Sequence, residues 1–205
     1  MSEQSSPVIN DRIPGAVCVY CASSTSAHPA YRELAAELGR GLAAAGRTTI
    51  YGGSRHGSMG ALADGALAAG GRVIGVMPEF LQALEIAHDR LSELHIVGDL
   101  RERKHWMLCR ASAVIALPGG TGTLEELLEA LTLKRLGIFP GPIVICNQRG
   151  FYDPLIALLE AAVDERFMAQ RHRAMWQVAE SAAQSILAID SAPAWPDDAL
   201  SFAAL

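Results

Sequence analysis

Short apolar runs alternate along the chain with longer segments whose apolar residues recur at helical spacing. Six runs are predicted to be β-strands, and they occupy residues 16–21, 48–53, 72–78, 93–98, 112–118 and 142–147. Most of them are apolar on both faces, which is typical of a parallel sheet covered by helices on both sides. Helices are predicted at 29–45, 58–69 and 99–111, after the fifth strand, and at 154–163. The pattern predicts a doubly wound, Rossmann-like α/β fold.

A further apolar segment at 175–180 and a short helix ending at Ala188 complete one predicted domain, with bounds at 15–190. The chain has 205 residues and is half apolar, which is enough for a single domain with a full core. Residues 1–14 are polar, and we expect them to be a disordered N-terminal segment. Residues 191–205 are rich in Pro, Asp and Ala and are predicted to be a loose C-terminal tail.

The charge and the first residues argue against several classes of protein. The formal net charge is −5, so there is no basic surplus to indicate a nucleic-acid partner. The start of the chain lacks the basic and apolar regions of a signal peptide. No apolar stretch is long enough to span a bilayer. We therefore expect a cytoplasmic protein with no membrane partner.

Cys18 and Cys21 form a C-x-x-C pair, a spacing that often marks a redox or metal site. Both fall on a predicted strand, where residues three apart point to opposite faces, so we do not expect them to share a metal. Buried, inert thiols are the better interpretation. The six histidines show no metal-ligand spacing, and no metal site is predicted.

Three predicted strands end in corners rich in glycine or hydroxyl groups, with the sequences "CASSTS", "YGGSRHGSMG" and "LPGGTGT". Parallel sheets bind ligands at the carboxyl ends of their strands, and the free amides at the start of a helix favour phosphate. The corners match neither the dinucleotide fingerprint nor the Walker A loop, and glycines that only form tight turns remain an alternative. Phosphate binding is the prediction we prefer, with Ser23 and Gly53 among the candidate contacts.

Glu126 follows the third corner and has two interpretations. Thr123 and Glu126 have the spacing of a capping box, in which the glutamate only bonds back to the start of the helix. Glu126 also lies nearly opposite a stripe of leucines, which suits a solvated side chain. The stripe consists of Leu124, Leu127, Leu128 and Leu131. The alternative is a catalytic carboxylate beside a bound ligand, and spacing does not decide between them.

The chain has only two lysines, Lys104 and Lys134. Arg103 and Lys104 belong to a short "RERK" run on a predicted helix, where charges are usually solvated. Because this helix begins just after a strand end, Lys104 is also a candidate phosphate ligand. Lys134 is predicted to be a charge on the surface of a helix.

Taken together, the motifs resemble those of the Lonely Guy (LOG) family of cytokinin riboside 5′-monophosphate phosphoribohydrolases. "PGGTGTLEE" fits the family's PGGxGTxxE signature, and "RERK" resembles its second motif. The similarity extends over residues 16–190 and includes "YGGSRHGSMG", "VIGVMPEFL", "EIAH" and "GFYDPL". The resemblance implies a homodimer that cleaves the N-glycosidic bond of a purine nucleoside monophosphate, without cofactor or metal.

The resemblance also implies roles for individual residues. Glu126 and Arg103 would be the catalytic pair. The residues that would bind the nucleotide are Glu85, Lys104, Gly119, Gly120, Thr121, Gly122, Thr123, Glu125 and Thr132. The chain departs from the family at Leu100, usually Met, at Thr121, usually Tyr, and at Leu133 and Arg135 within a usual T-W-x-Q. These departures bear on which group is accepted at purine N6.

Two other functions fit parts of the pattern. A lysine decarboxylase that uses pyridoxal phosphate needs a Schiff-base lysine, for which Lys104 and Lys134 are the candidates. A non-catalytic nucleotide carrier or sensor would keep the glycine corners and would not need Glu126.

Overall fold

A seven-stranded parallel sheet crosses the residues that the computed structural model describes, which are 12–83 and 86–203. Its strands are β1 (Val17–Tyr20), β2 (Thr49–Tyr51), β3 (Val73–Pro78), β4 (Glu93–Val97), β5 (Ala113–Ala116), β6 (Ile143–Cys146) and β7 (Gln177–Ala179). The six predicted strands are present, and the segment at 175–180 supplies the seventh. The predicted doubly wound α/β fold is confirmed.

Within residues 12–83 and 86–203, six α-helices connect and cover the strands. They are α1 (Pro29–Ala44), α2 (Gly57–Ala68), α3 (Leu100–Arg110), α4 (Thr121–Arg135), α5 (Asp153–Asp164) and α6 (Ala182–Ser191). Local signals explain several of their ends. Pro29 occupies the first turn of α1, the side chain of Asp99 accepts a hydrogen bond from the Glu102 amide at the start of α3, and Gly46 follows α1 with a φ of 67°.

The strand order is β4-β3-β2-β1-β5-β6-β7. The chain builds the sheet outward from β1 to one edge and then returns to add β5 on the other side of β1. Tyr20 of β1 is paired with Ala116 of β5 at the end of this junction. In doubly wound sheets the crevice for a ligand opens where the order reverses, outside the carboxyl ends of the two strands. That position is the junction of β1 and β5.

Two buried apolar clusters lie on opposite faces of the sheet. One packs side chains of α3, α4 and α5 against the strands, and the other packs those of α1, α2 and α6. Cys18 belongs to the first cluster and Cys21 to the second, so the two thiols do lie on opposite faces as predicted. All four cysteines are buried and free of disulfides.

The C-terminal segment is not a loose tail, because part of it covers the far end of α4. Trp195 and Ala199 are buried in the first cluster, and the Arg135 guanidinium donates to the Ala203 carbonyl, with Nη2 at 2.6 Å. Lys134 is consequently buried, and its prediction as a surface charge is wrong. Its Nζ donates to the Gly141 carbonyl at 2.7 Å and lies 5.2 Å from the centre of the Trp195 ring.

In the part of the chain that the structure describes, no helix has the length and apolar character needed to cross a membrane. Residues 1–11, which make up most of the predicted N-terminal segment, lie outside the described residues.

Candidate active site

A cavity of about 300 Å³ opens at the carboxyl ends of β1 and β5. It is formed by the loop after β1, the first turn of α2, one side chain of α3 and the first turns of α4. Its lining residues are Cys21, Ala22, Ser23, Ser24, Met59, Arg103, Gly120, Thr121, Gly122, Thr123 and Glu126. Seven of the predicted site residues therefore meet in one place, as the topology of the sheet requires.

The loop after β5, residues 117–123, is called the glycine corner below. It places the start of α4 at this cavity. The helix begins at Thr121 with Gly120 as its N-cap, so Thr123 is the third helical residue and makes no capping bond. Of the two interpretations of Glu126, the capping box with Thr123 is therefore wrong. The first amides of a helix have no partner within it, and they carry the positive end of the helix dipole. Here those amides belong to residues that line the cavity.

The three glycines of the corner differ in what surrounds them. A Cβ on Gly119 would lie 2.2 Å from Oγ1 of Thr123, so packing alone demands glycine there. A Cβ on Gly120 or Gly122 would meet nothing within 4 Å. No neighbour within the described protein therefore requires these two to be glycine, and a closely approaching ligand would.

Glu126 points inward from α4 and is only 8% exposed, so the expectation of a solvated side chain is wrong. The buried face of α4 consists of Thr123, Glu126, Leu127, Ala130, Leu131 and Lys134. Leu128 of the predicted stripe is exposed instead. Burial raises the pKa of Glu126 from its usual 4.5 to about 7, and the Arg103 guanidinium offsets part of that rise.

Arg103 approaches the same cavity from α3 and is only 5% exposed. Its Nη2 donates to the Gly52 carbonyl at 3.0 Å, while its Nε has no hydrogen-bond partner among the described residues. Two buried charges of opposite sign thus border one small space, which is the arrangement expected of a polar active site.

Gly52 does not line the cavity, but it supports Arg103, and the sequence did not single it out. A Cβ there would lie 1.8 Å from Nη2 of Arg103, so the guanidinium occupies the space that glycine leaves free. The sequence reasoning chose Gly53 from the same doublet. Gly53 has a φ of 84° and faces the backbone of β3, with Val76 N at 3.4 Å from its Cβ position, and it is not among the residues that line the cavity. The pair of glycines at the end of β2 was the sequence feature that could have pointed to Gly52.

Lys104 lies beside the first cavity, at the edge of a second one. Its Nζ contacts Oε1 of Glu125 and lies 2.9 Å from Oε2 of Glu129. The second cavity, of about 600 Å³, separates the outer faces of α3 and α4 and includes Lys104, Leu108 and Leu133 in its lining. Thr132, further along α4, is exposed and donates its hydroxyl to the Leu128 carbonyl at 2.8 Å. Glu85 lies outside the described residues.

The positions of the lysines do not suit a Schiff base with pyridoxal phosphate. Lys134 is 3% exposed and is bonded to Gly141 at the far end of α4 from the glycine corner. Lys104 is held by two carboxylates. Neither lysine lines the cavity that the helix amides border. Across residues 12–83 and 86–203, no group of three or more His, Cys, Asp or Glu is placed to hold a metal ion.

Comparisons with known proteins show which proteins this chain resembles. A family described as "Possible lysine decarboxylase" matches residues 59–189. The cytokinin riboside 5′-monophosphate phosphoribohydrolase of Rhodococcoides fascians is 41% identical over 179 residues, which cover 87% of this chain and 90% of that protein. A probable cytokinin riboside 5′-monophosphate phosphoribohydrolase of Oryza sativa subsp. japonica is 40% identical over 166 residues, 81% of this chain and 73% of that protein.

Among solved structures, the molybdenum cofactor carrier protein of Chlamydomonas reinhardtii superposes with a TM-score of 0.66. The match covers 85% of this chain and 95% of that protein at 23% identity. At that identity the likeness concerns the fold alone.

Proposed function

The chain belongs to the cytokinin riboside 5′-monophosphate phosphoribohydrolase (LOG) family, and from that premise we propose that it hydrolyses the N-glycosidic bond of adenosine 5′-monophosphates, with or without an N6 substituent. The products are the free base and ribose 5-phosphate. One observation carries the proposal. Glu126, Arg103 and the bare start of α4 border the same 300 Å³ cavity.

The glycine corner binds the 5′-phosphate in this proposal. The amides of Gly120 to Thr123 present unpaired donors at the positive end of α4, and Thr121 and Thr123 add hydroxyl groups. The open space beside Gly120 and Gly122 lets phosphate oxygens approach the backbone closely. Ser23, on the loop after β1, faces this corner across the cavity and is a further candidate ligand. A phosphate held here is remote from the reacting bond and positions the ribose for reaction.

The reaction breaks the bond between C1′ of the ribose and N9 of the purine. The ribose passes through a cation of oxocarbenium type as the C1′–N9 bond breaks. Water then adds its oxygen to C1′, keeps one hydrogen as the new hydroxyl and releases the other as a proton, while the departing base takes up one proton. We assign Glu126 to this step, because a buried carboxylate stabilises adjacent positive charge and can orient the attacking water. With a pKa of about 7 this group can also accept a proton from that water near neutral pH. Arg103 keeps the carboxylate partly ionised despite its burial.

Two of the remaining predicted contacts, Glu125 and Thr132, lie on one outer face of α4. Glu125 and Thr132 are both exposed on that face, and Lys104 reaches Glu125 from α3. We assign Lys104, Glu125 and Thr132 to the ribose and base of the substrate, with Glu85 as a further contact. For Lys104 this requires that its bonds to Glu125 and Glu129 be exchanged for substrate oxygens.

We further propose that a second copy of the chain covers the α3–α4 face, so that the enzyme is a homodimer acting in the cytoplasm. Leu100 and Leu128 are exposed beside the second cavity. The outer face of α3 carries Arg101 and Lys104, whereas that of α4 carries Glu125 and Glu129. Because Lys104 is already paired with Glu125 and Glu129 of its own copy, the exposed leucines are the surface that a second copy would cover. Light scattering that shows a stable, active monomer contradicts this arrangement.

Product analysis on a nucleotide panel tests the proposed reaction. The purified protein should release base and ribose 5-phosphate from AMP or from N6-substituted AMP. Adenosine, which lacks the phosphate, should be a much poorer substrate because it cannot use the glycine corner. Equal rates with AMP and adenosine contradict the assignment of the corner. Tight AMP binding without any product would instead favour the nucleotide carrier or sensor.

A further inference from the structure

The turn between β6 and α5 reaches across the top of the sheet to the glycine corner. Tyr152, at the end of this turn, is fully buried, and its hydroxyl donates to the Leu117 carbonyl at 2.7 Å. Burial raises the pKa of Tyr152 well above its usual value, so the phenol keeps its proton and remains a donor. Leu117 immediately precedes Pro118 and the glycines of the corner.

The turn is built in a way that fixes the Tyr152 ring. Asn147 accepts a hydrogen bond from the Tyr152 amide at 2.7 Å and donates its side-chain amide to Asp153 at the same distance. Arg149 and Gly150 both have positive φ, at 61° and 69°, which folds the turn tightly. Glycine adopts this conformation freely, but for Arg149 it is strained and persists only where the surroundings hold it in place. The hydroxyl of Tyr152 is therefore delivered from a rigid support.

Both backbone polar groups of Leu117 are held by neighbouring strands or turns. Its N–H donates to the Tyr20 carbonyl at 2.9 Å, which extends the ladder of β1, and its C=O accepts from Tyr152. Only Pro118 and Gly119 separate this fixed point from the N-cap of α4. The orientation of the Leu117 peptide thus sets the path by which the chain enters the helix start.

We propose that Tyr152 is a positioning residue for the phosphate-binding corner. Its hydroxyl fixes the Leu117 carbonyl, and through it the directions of the amides from Gly120 to Thr123. The inference rests on the proposed function in that the ligand of the corner is the 5′-phosphate of a nucleotide. Tyr152 acts through the backbone and does not touch the substrate. Loss of the Tyr152 hydroxyl should therefore weaken the binding of phosphate ligands and leave the rate of bond cleavage nearly unchanged.

Tyr152→Phe tests the proposal because it removes one oxygen and leaves the buried ring. Ser112→Ala is the matched control, since the Ser112 hydroxyl donates to the Ala16 carbonyl at 2.8 Å just before the same strand, β5, at its opposite end. We expect Tyr152→Phe to raise KM for AMP about tenfold with kcat changed by less than about threefold, below the hundredfold cost of a full 1 Å misplacement. Ser112→Ala should change neither constant.

A merely structural role predicts another outcome. If Tyr152 only stabilises the fold, its loss lowers the active fraction and hence kcat, while KM stays as in the wild type. Unchanged KM for AMP in Tyr152→Phe overturns the proposal, and so does an equal rise of KM in Ser112→Ala.

Binding of ribose 5-phosphate by calorimetry separates this inference from the proposed reaction, because it needs no turnover. Tyr152→Phe should weaken that binding about tenfold, in line with the change in KM. If the wild type binds ribose 5-phosphate and hydrolyses no nucleotide, the proposed reaction fails while the role of Tyr152 is still decided by this comparison. Wild-type affinity in Tyr152→Phe, or no binding of ribose 5-phosphate by the wild type, overturns the role.

Discussion

Replacing Glu126 by glutamine should make the protein more stable and much less active. The buried carboxylate has its pKa raised from 4.5 to about 7. Since one pKa unit corresponds to about 1.4 kcal/mol, the fold disfavours the ionised form of Glu126 by about 3 kcal/mol relative to the unfolded chain. Glutamine keeps the size and shape of the neutral acid and never ionises. The variant should therefore escape a cost that the wild type carries at neutral and higher pH.

The sign of the effect follows from proton binding. Between pH 4.5 and about 7 the folded protein holds a proton on Glu126 that the unfolded chain has released, so wild-type stability from this group falls as pH rises through that window. Below pH 4.5 both states are protonated and the two proteins should be alike in this respect. By pH 8 the variant should be more stable than the wild type by up to about 3 kcal/mol.

Urea unfolding at pH 4.5, 6 and 8 measures this difference, and Glu37→Gln on the exposed face of α1 is the control. The free energy of unfolding of Glu126→Gln relative to the wild type should grow with pH, while that of Glu37→Gln should stay constant. Turnover of AMP should fall about a hundredfold or more in Glu126→Gln, as it does when transition-state electrostatics are removed, and remain normal in the control.

Two results refute the reasoning. A difference in unfolding free energy that does not change with pH means that Glu126 is not a desolvated carboxylate in the folded protein. Near-normal turnover in Glu126→Gln means that its charge does not serve the reaction, and the cavity would then be a binding site only.

Three further predictions concern neighbouring features. Gly122→Ala should keep the wild-type melting temperature and lose most of its affinity for ribose 5-phosphate, whereas Gly119→Ala should lower the melting temperature because its Cβ meets Thr123; equal melting temperatures in both would contradict the packing argument. Gly52→Ala should leave a folded protein, since the atom it displaces is the tip of Arg103, but AMP turnover should fall nearly as far as in Arg103→Ala. Burial lowers the pKa of Lys134 from 10.5 to about 8. The unfolding free energy of the wild type should therefore rise by about 3 kcal/mol between pH 8 and 10.5, and that of Lys134→Met should not. Parallel pH curves for the two proteins would show that this lysine is not desolvated.

The sheet was predictable because five of its seven strands are buried on both faces, the exceptions being the edge strands β4 and β7. Each of the six predicted strands contains an observed one and exceeds it by one or two residues at most of its ends. A short apolar run such as "SAVIALP" has no polar face, so it does not resemble an amphipathic helix. The corners followed from the same pattern, because carboxyl ends of parallel strands must share an edge. The convergence of Ser23, Arg103 and Glu126 was therefore within reach of the sequence and its family resemblance.

The errors arose where tertiary packing decides what spacing leaves open. The T-x-x-E spacing suited a capping box with Thr123 as N-cap, but the N-cap of α4 is Gly120, three residues earlier. Lys134 was predicted at the surface, and a solvated Glu126 was one of two interpretations, because the leucine stripe was taken as the buried face of the helix. In the structure the Glu126 side of α4 closes the cavity, and the Lys134 end is covered by the C-terminal segment. Neither the cavity beside Glu126 nor the C-terminal segment over Lys134 could be identified from the sequence pattern of the helix.

The pairing of β1 with β5 has a consequence for how the chain folds. Val17 is hydrogen-bonded beside Ala113, so the junction closes a loop of nearly half the chain. Contacts so distant in sequence form late, and during synthesis β1 remains an open, apolar edge until β5 has left the ribosome. The cavity lies over that same junction, with Ser23 on the loop after β1 and Gly120 on the loop after β5. A nucleotide bound as proposed would bridge the strand pair of the sheet with the largest sequence separation, and it would slow the opening of the whole domain rather than of one loop.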